Sequence, residues 1–312
     1  MPVATVILPT HDHGPMLRHS LRSVQEQTVD DLEIFVIGDG VPDVTRELVA
    51  ELARADSRIR LFDNPKGPRN GELHRHAALE EARGEIVCYQ ADDDLWCPEQ
   101  VEELRGLLAA ADFAHTVALR VAPDGSVSPR LAVLESGVFR AHMHRGAFFL
   151  TLSIVGHTLA VYRELPHGWR TTPQPIPTDL YMWQQFLDQP GIRLASGSRP
   201  AVLNFPSPAR RGWTIEQRLH ELERWSAFLA GSGWRSELEP RLSNRCAEAV
   251  QRLRRRVRPL EPLARAARTR PVLGKFPRRL ATELWELEVR RITKWLAGEL
   301  APTRGGREPA TS

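Results

Sequence analysis

The first hundred residues repeat one pattern, a short and nearly continuous apolar run followed by apolar residues at helical spacing. Val3-Ala4-Thr5-Val6-Ile7-Leu8 lacks the alternation of a half-exposed strand, as expected for a strand covered on both faces of a parallel sheet. Leu17, Leu21 and Val24 follow at helical spacing, and Ile34-Phe35-Val36-Ile37 returns as a second strand. Leu48, Val49 and Leu52 mark a helix, Ile59-Arg60-Leu61-Phe62 a third strand, and residues 73–82 another helix. Ile86-Val87-Cys88-Tyr89 is the fourth strand, and a helix over about residues 98–110 has Pro98 near its first turn. Parallel neighbours need crossover connections of this length, so the pattern predicts an α/β fold with a doubly wound, mostly parallel sheet.

The later chain is less regular. Residues 113–119 read as a strand and Asp124-Gly125 as a turn, whereas residues 146–161 read as a buried helix or a strand pair, which periodicity does not separate. The prolines of residues 171–177 exclude a helix interior there and deliver the chain to a helix predicted over 178–186. From Thr214 the pattern is helical: Leu219, Leu222, Trp225, Phe228 and Leu229 share one face, and Leu280 to Leu296 mark a later helix. The last ten residues are rich in Gly, Arg, Pro, Thr and Ser, the composition of a disordered tail.

The net charge of +3 conceals an asymmetry. Residues 241–312 hold 18 Lys and Arg against 7 Asp and Glu, leaving 24 against 32 in residues 1–240. An acidic body with a basic tail is suited to an anionic membrane face, a nucleic acid, a phosphorylated substrate or a subunit contact. No apolar run reaches the roughly 18 residues of a spanning helix, and the N-terminus lacks the basic and apolar segments of a secretory signal. Cys88, Cys97 and Cys246 are odd in number with no CxxC pair, which disfavours a disulfide framework and a cysteine zinc site. The expected setting is a reducing cytoplasm.

Polar residues gather where a parallel sheet places its ligand crevice, at the carboxyl ends of the strands. Strand one ends in Pro9-Thr10-His11-Asp12, strand two in Gly38-Asp39-Gly40 and strand four in Gln90-Ala91-Asp92-Asp93-Asp94. Consecutive carboxylates after a buried strand repel unless a cation lies between them, and hard oxygen donors suit Mg²⁺ or Mn²⁺ with positions left for a diphosphate. Asp39 is placed to accept hydrogen bonds from a base, with Thr10 framing it. No Gly-x-Gly-x-x-Gly follows strand one and no Gly-x-x-x-x-Gly-Lys-Ser/Thr occurs, which excludes Rossmann and P-loop sites.

Taken with Ser23-Val24-Gln25-Glu26-Gln27-Thr28, His74-Arg75-His76-Ala77-Ala78-Leu79, Ala82-Arg83-Gly84-Glu85-Ile86 and Asp92-Asp93-Asp94-Leu95-Trp96-Cys97-Pro98, these blocks resemble, in order and spacing over about 110 residues, the family 2 glycosyltransferases with the GT-A-type fold. The resemblance implies that Pro9, Thr10, His11 and Asp39 contact the nucleotide of a UDP-sugar or related donor, with Asp39 at the base. It places Arg75, with Arg69 or Lys66 in the preceding loop, toward the base or diphosphate. It further implies Asp92 near the ribose or donor sugar, Asp93 as principal ligand of Mn²⁺ or Mg²⁺, and Asp94 as its helper. Thr178-Asp179-Leu180 resembles the helix-opening block that supplies the base of an inverting transfer, which makes Asp179 the candidate catalytic residue. His157 and Trp183 are candidates for an acceptor pocket. The sequence departs from the family pattern at Ala91, where an aspartate is usual, and at His11-Asp12, Gly38 and His76.

The expected organisation is a nucleotide-sugar-binding half (1–110), an acceptor-binding and catalytic half of the same domain (111–213), a helical region (214–300) and a tail (301–312). The expected function is metal-dependent, inverting transfer of a sugar from a nucleotide donor to a hydroxyl of a saccharide, lipid-linked or small-molecule acceptor. The basic helices would serve peripheral membrane contact at the inner face or homo-oligomer formation. Two other readings are a catalytically silent GT-A-like scaffold using its basic tail, and a sugar-nucleotide pyrophosphorylase. The second requires a glycine-rich loop with Arg and a later Lys that Pro9-Thr10-His11-Asp12-His13-Gly14 lacks.

Overall fold

The computed structural model describes residues 1–147, 149–262 and 275–300, so the tail expected at 301–312 lies outside the described residues. β1 (Ala4–Thr10), β2 (Leu32–Asp39), β3 (Ile59–Asn64) and β4 (Ile86–Tyr89) form a parallel block in the order β3-β2-β1-β4, with Val6 opposite both Ile34 and Cys88. The crossovers are α1 (Leu17–Gln25), α2 (Asp43–Ala55) and α3 (Glu72–Glu80). Near-complete burial of β1 and β2 accounts for their unbroken apolar runs.

Beyond β4 the sheet becomes mixed. After the two-residue β5 (Leu95–Trp96) and α4 (Gln100–Leu108), β6 (Phe113–Val121) pairs with the short β7 (Val127–Arg130), and α5 (Gly137–Met143) follows. Antiparallel β8 (Val155–Thr158) joins β4 to β6, while β6 lies parallel to β9 (Leu194–Asn204), whose other edge takes β5. Residues 146–161 thus form neither of the expected arrangements but a 3₁₀ turn at Leu152–Ile154, then β8 and the short α6 (Leu159–Arg163). α7 (Thr178–Leu187) matches the helix predicted after the proline segment, whereas β9 has no counterpart in the sequence reading. Its Gly197 and Pro200 interrupt the apolar pattern, and the β6–β9 ladder shifts register twice beside them.

His157, on β8 between β4 and β6, and Trp183, on α7, both expected at an acceptor pocket, instead lie in the interior. Both are fully buried in a cluster with Tyr89, Phe113, Trp169 and Phe186, closed to solvent. One His157 ring nitrogen lies 2.7 Å from the Tyr89 hydroxyl and the other 2.9 Å from the Thr158 carbonyl oxygen. Burial pushes its pKa down to about 4 against the opposing carbonyl contact.

The helical region comprises α8 (Ile215–Ala230), opened by a Thr214–Gln217 capping box, then α9 (Glu239–Val257) and α10 (Lys275–Glu299). Part of its basic excess is used internally, because Arg252, Arg256 and Arg291 converge on buried Glu288 at 2.9, 3.4 and 3.2 Å. Among the described residues no helix is long and apolar enough to cross a membrane. Arg210, whose side chain is fully buried, grips both oxygens of Glu221 at 2.5 and 2.6 Å and donates to the Val121 carbonyl, stapling α8 to the end of β6.

Removing one partner of such a pair leaves an uncompensated buried charge, so Arg210→Met is expected to cost about 3–5 kcal/mol in urea unfolding. Arg210→Met/Glu221→Leu should recover part of that loss, and equal stability of the single variant and the parent would contradict the staple. For His157, the unfolded chain binds a proton near pH 6.5 and the folded chain only near 4, so acidification through that window favours unfolding. The difference is worth about 3 kcal/mol. His157→Gln should therefore lose correspondingly less stability between pH 6.5 and 4, and an unchanged pH slope would contradict a neutral buried imidazole.

Candidate active site

The three polar strand ends meet. The His11 ring contacts the Asp39 carbonyl at 2.7 Å, and His13 Nδ1 lies 2.8 Å from Asp92 Oδ1, so the segment after β1 touches both the end of β2 and the turn after β4. Consecutive Asp92, Asp93 and Asp94 are all buried. Each is compensated by a different part of the chain.

Asp94, expected as a second metal ligand, has both oxygens taken by the protein. Ser153 donates to Oδ2 at 2.6 Å, the Phe205 backbone N–H to Oδ1 at 2.9 Å, and the Asn204 amide to both at 3.1 and 3.2 Å. Burial and neighbouring Asp93 raise its pKa to about 7 against these donors. Asp93 receives Ser207 Oγ and Arg218 Nη2 on Oδ2, each at 2.5 Å, and burial together with Asp92 raises its pKa. His13, Asp92 and Asp93 each offer one ligand atom, all within 4.8 Å of one another, so the third member of the group is His13 and not Asp94. His13 has its pKa raised to about 9: burial opposes the charge, but the hydrogen bond and charge of Asp92 and the charge of Asp93 outweigh it.

The second corner is built around Asp39. Lys66 Nζ donates to Oδ2 and the Gly67 N–H to Oδ1, both at 2.6 Å. The loop closes tightly enough that Gly71, at φ +64°, would bring an added Cβ to 2.6 Å from Asp39 Cγ. Pro9 is half-buried and Thr10 buried beside this corner, with no hydrogen-bond partner for the Thr10 hydroxyl among the described residues. Of the cations suggested by the sequence, Lys66 is therefore the one on Asp39.

Arg69, expected to face a base or diphosphate, instead adopts φ +53° and donates to the carbonyls of Thr172 and Ile176 at 2.9 and 3.5 Å. Asn70 donates to Thr178 Oγ1 at 2.7 Å, and buried Glu72 accepts from the Thr172 N–H at 3.2 Å and Thr178 Oγ1 at 3.4 Å. The start of α3 is thereby tied to the start of α7, where Asp179 stands.

Arg75 stands on α3 within electrostatic reach of both Asp39 and Asp179. It is buried over the Trp169 ring at 4.7 Å and donates through Nη2 to the Asn70 carbonyl, while Nε and Nη1 have no hydrogen-bond partner among the described residues. Burial disfavours its charge, and Asp179, Glu72 and Asp39 all support it electrostatically. Asp179 has its pKa raised to about 6 by burial, an effect that Arg75 partly offsets. The sequence reading missed His13, Ser207, Glu72 and Arg218. His13 stood in the polar run after strand one, whereas Arg218, on a helix face otherwise read by its apolar residues, carried no local signal.

Known proteins resemble this chain in sequence and in fold. The 94 residues most similar to the GalNAc(5)-diNAcBac-PP-undecaprenol beta-1,3-glucosyltransferase of Campylobacter jejuni are 35% identical, covering 30% of each protein. Chondroitin synthase of Pasteurella multocida is 28% identical over 130 residues, 41% of this chain and 13% of the synthase. These matches span less than a third of either relative's length. The fold resembles the crystal structure of S. aureus TarS 1–349 in complex with UDP-GlcNAc at a TM-score of 0.52 and 15% identity, covering 80% of this chain and 72% of the other. The model for glycosyl transferase family 2 matches residues 5–165, just over half of the chain, which therefore belongs to that family and has a GT-A-type fold.

Proposed function

We propose that the protein transfers a sugar with inversion from a nucleoside-diphosphate donor, a UDP-sugar first among those to test, to a hydroxyl of a saccharide, lipid-linked or small-molecule acceptor. The observation that carries this reading is Arg75. A buried guanidinium with two nitrogens unpartnered among the described residues, within electrostatic reach of both Asp39 and Asp179, is suited to an anionic ligand reaching from a base-reading corner to a proton acceptor.

In this reading Asp39 accepts hydrogen bonds from the donor base, beside Pro9, Thr10 and His11, and Arg75 faces the diphosphate. The clustered nitrogen and oxygen donors of His13, Asp92 and Asp93 fit a divalent cation such as Mn²⁺ or Mg²⁺. Such an ion, when bound, neutralises charge on the departing diphosphate. Asp94 acts indirectly, fixing the turn that presents Asp92 and Asp93. Asp179 takes the acceptor hydroxyl proton as that oxygen bonds to the anomeric carbon and the bond to the phosphate oxygen breaks, the electron pair leaving with the nucleoside diphosphate. A carboxylate with its pKa raised to about 6 is a stronger base than an exposed one and is still ionised at neutral pH. The arginines left exposed on α9 and at its C-cap, including Arg245, Arg255 and Arg258, are proposed as the contact to an anionic membrane face on the cytoplasmic side.

Thermal-shift screening of nucleotide-sugars with and without Mn²⁺ identifies the donor, and sugar transfer then tests the roles. Asp179→Asn is expected to lower kcat by roughly 10²–10⁴-fold with donor affinity within about twofold of the parent. Asp93→Ala should abolish the Mn²⁺-linked donor stabilisation. The parent's kcat/KM should fall about tenfold per pH unit below about 6, because protonated Asp179 cannot accept the proton. Turnover by Asp179→Asn at the parent rate would overturn the assignment.

A further inference from the structure

Arg218 reaches the acidic pair from α8, 125 residues after Asp93. Its Nη2 donates to Asp93 Oδ2 at 2.5 Å and to Ser207 Oγ at 3.1 Å, and Nη1 lies 3.2 Å from His13 Nε2. The Arg218 and Asp93 side chains are only 12% and 11% exposed, so this is not a solvent-screened surface pair. The helix that delivers it is firmly placed, with the capping box at its start and Glu221, one turn after Arg218, locked to buried Arg210.

The guanidinium therefore occupies an oxygen of a carboxylate that, on the function proposed above, also binds a divalent cation. Asp93 Oδ2 already accepts Ser207 and Arg218, and two positive centres on one carboxylate repel strongly in so buried a setting. A guanidinium is also a planar fork whose paired N–H groups match phosphate as well as carboxylate. We propose that Arg218 is a leaving-group residue that doubles as the resident counter-cation of the acidic pair. Without donor it holds Asp93; on donor binding it yields Asp93 to the divalent cation and turns its nitrogens to the phosphate oxygens. The C-terminal helical region thereby contributes a residue to the reaction centre. This inference rests on the assignment of Asp93 as a metal-binding residue.

The exchange predicts effects of opposite sign from one substitution. Calorimetric titration of the full chain with Mn²⁺ alone, and then of the Mn²⁺-saturated protein with UDP and GDP, measures both. Arg218→Gln is expected to bind Mn²⁺ about tenfold more tightly and the better-bound nucleoside diphosphate about tenfold more weakly. Arg218→Lys keeps the charge without the fork, so its Mn²⁺ affinity should stay near the parent's while nucleotide affinity falls. Damage to the fold would weaken both ligands together. Mn²⁺ affinity that is unchanged or weaker in Arg218→Gln overturns the proposal, as does unchanged nucleotide affinity. Asp93→Asn separates the two levels of the argument. If it binds Mn²⁺ like the parent, the metal assignment fails; if it loses Mn²⁺ while Arg218→Gln leaves Mn²⁺ affinity unchanged, only the exchange fails.

Discussion

Three consecutive buried carboxylates in the turn after β4 are the constraint around which this molecule is arranged. Left uncompensated, they would destabilise the fold by mutual repulsion and by desolvation. Each finds its partner on a different element: Asp92 on the segment after β1, Asp93 on α8, and Asp94 on the Leu152–Ile154 turn and the end of β9. One four-residue strand thus has parts of the parallel block, the mixed half and the helical region fastened just beyond its end. The compensation is unequal, since Asp94 is saturated by neutral donors whereas Asp92 and Asp93 face an imidazole and a guanidinium. That difference separates a carboxylate held by neutral donors from two that face imidazole and guanidinium nitrogens.

The second centre of organisation is the contact between α3 and α7. A non-glycine residue in the left-handed region is costly, and Arg69 is held there by the carbonyls it reaches more than a hundred residues away. Together with Asn70 and Glu72 it joins the loop around Asp39 to the segment before Asp179. Arg75, one turn further along α3, is then within electrostatic reach of both carboxylates. The spacing between the Asp39 corner and the proposed base is thereby set by side-chain hydrogen bonds, which are less tolerant of drift than apolar packing.

The parallel half was legible because strands covered on both faces must be apolar throughout, and such runs stand out against helical spacing. Strand-end acids were legible for a related reason: polar residues directly after such a run have few places to go except the crevice. What failed was information held only in three dimensions. His157 looked available because its neighbours in sequence are apolar and small, yet β8 is an interior strand and the ring is sealed between Tyr89 and Phe186. Trp183 shares that core. β9 was hidden by glycine and proline at the points where its ladder changes register. Asp94 and Asp93 are indistinguishable as letters, and only the donors brought by β9 and α8 separate them.

The long reach of the Arg218–Asp93 pair bears on how the protein is made. A ribosome adding roughly 5–20 residues per second leaves an interval of roughly 6–25 s between the emergence of Asp93 and that of Arg218. The parallel block can assemble in that time, while the turn after β4 still carries an acid with no cationic partner. The acidic pair therefore acquires its guanidinium only after all four strands of the parallel block have been synthesised, and before α9 and α10. A nascent chain thus carries the strands of that block well before it carries the residue that balances the acids beyond β4.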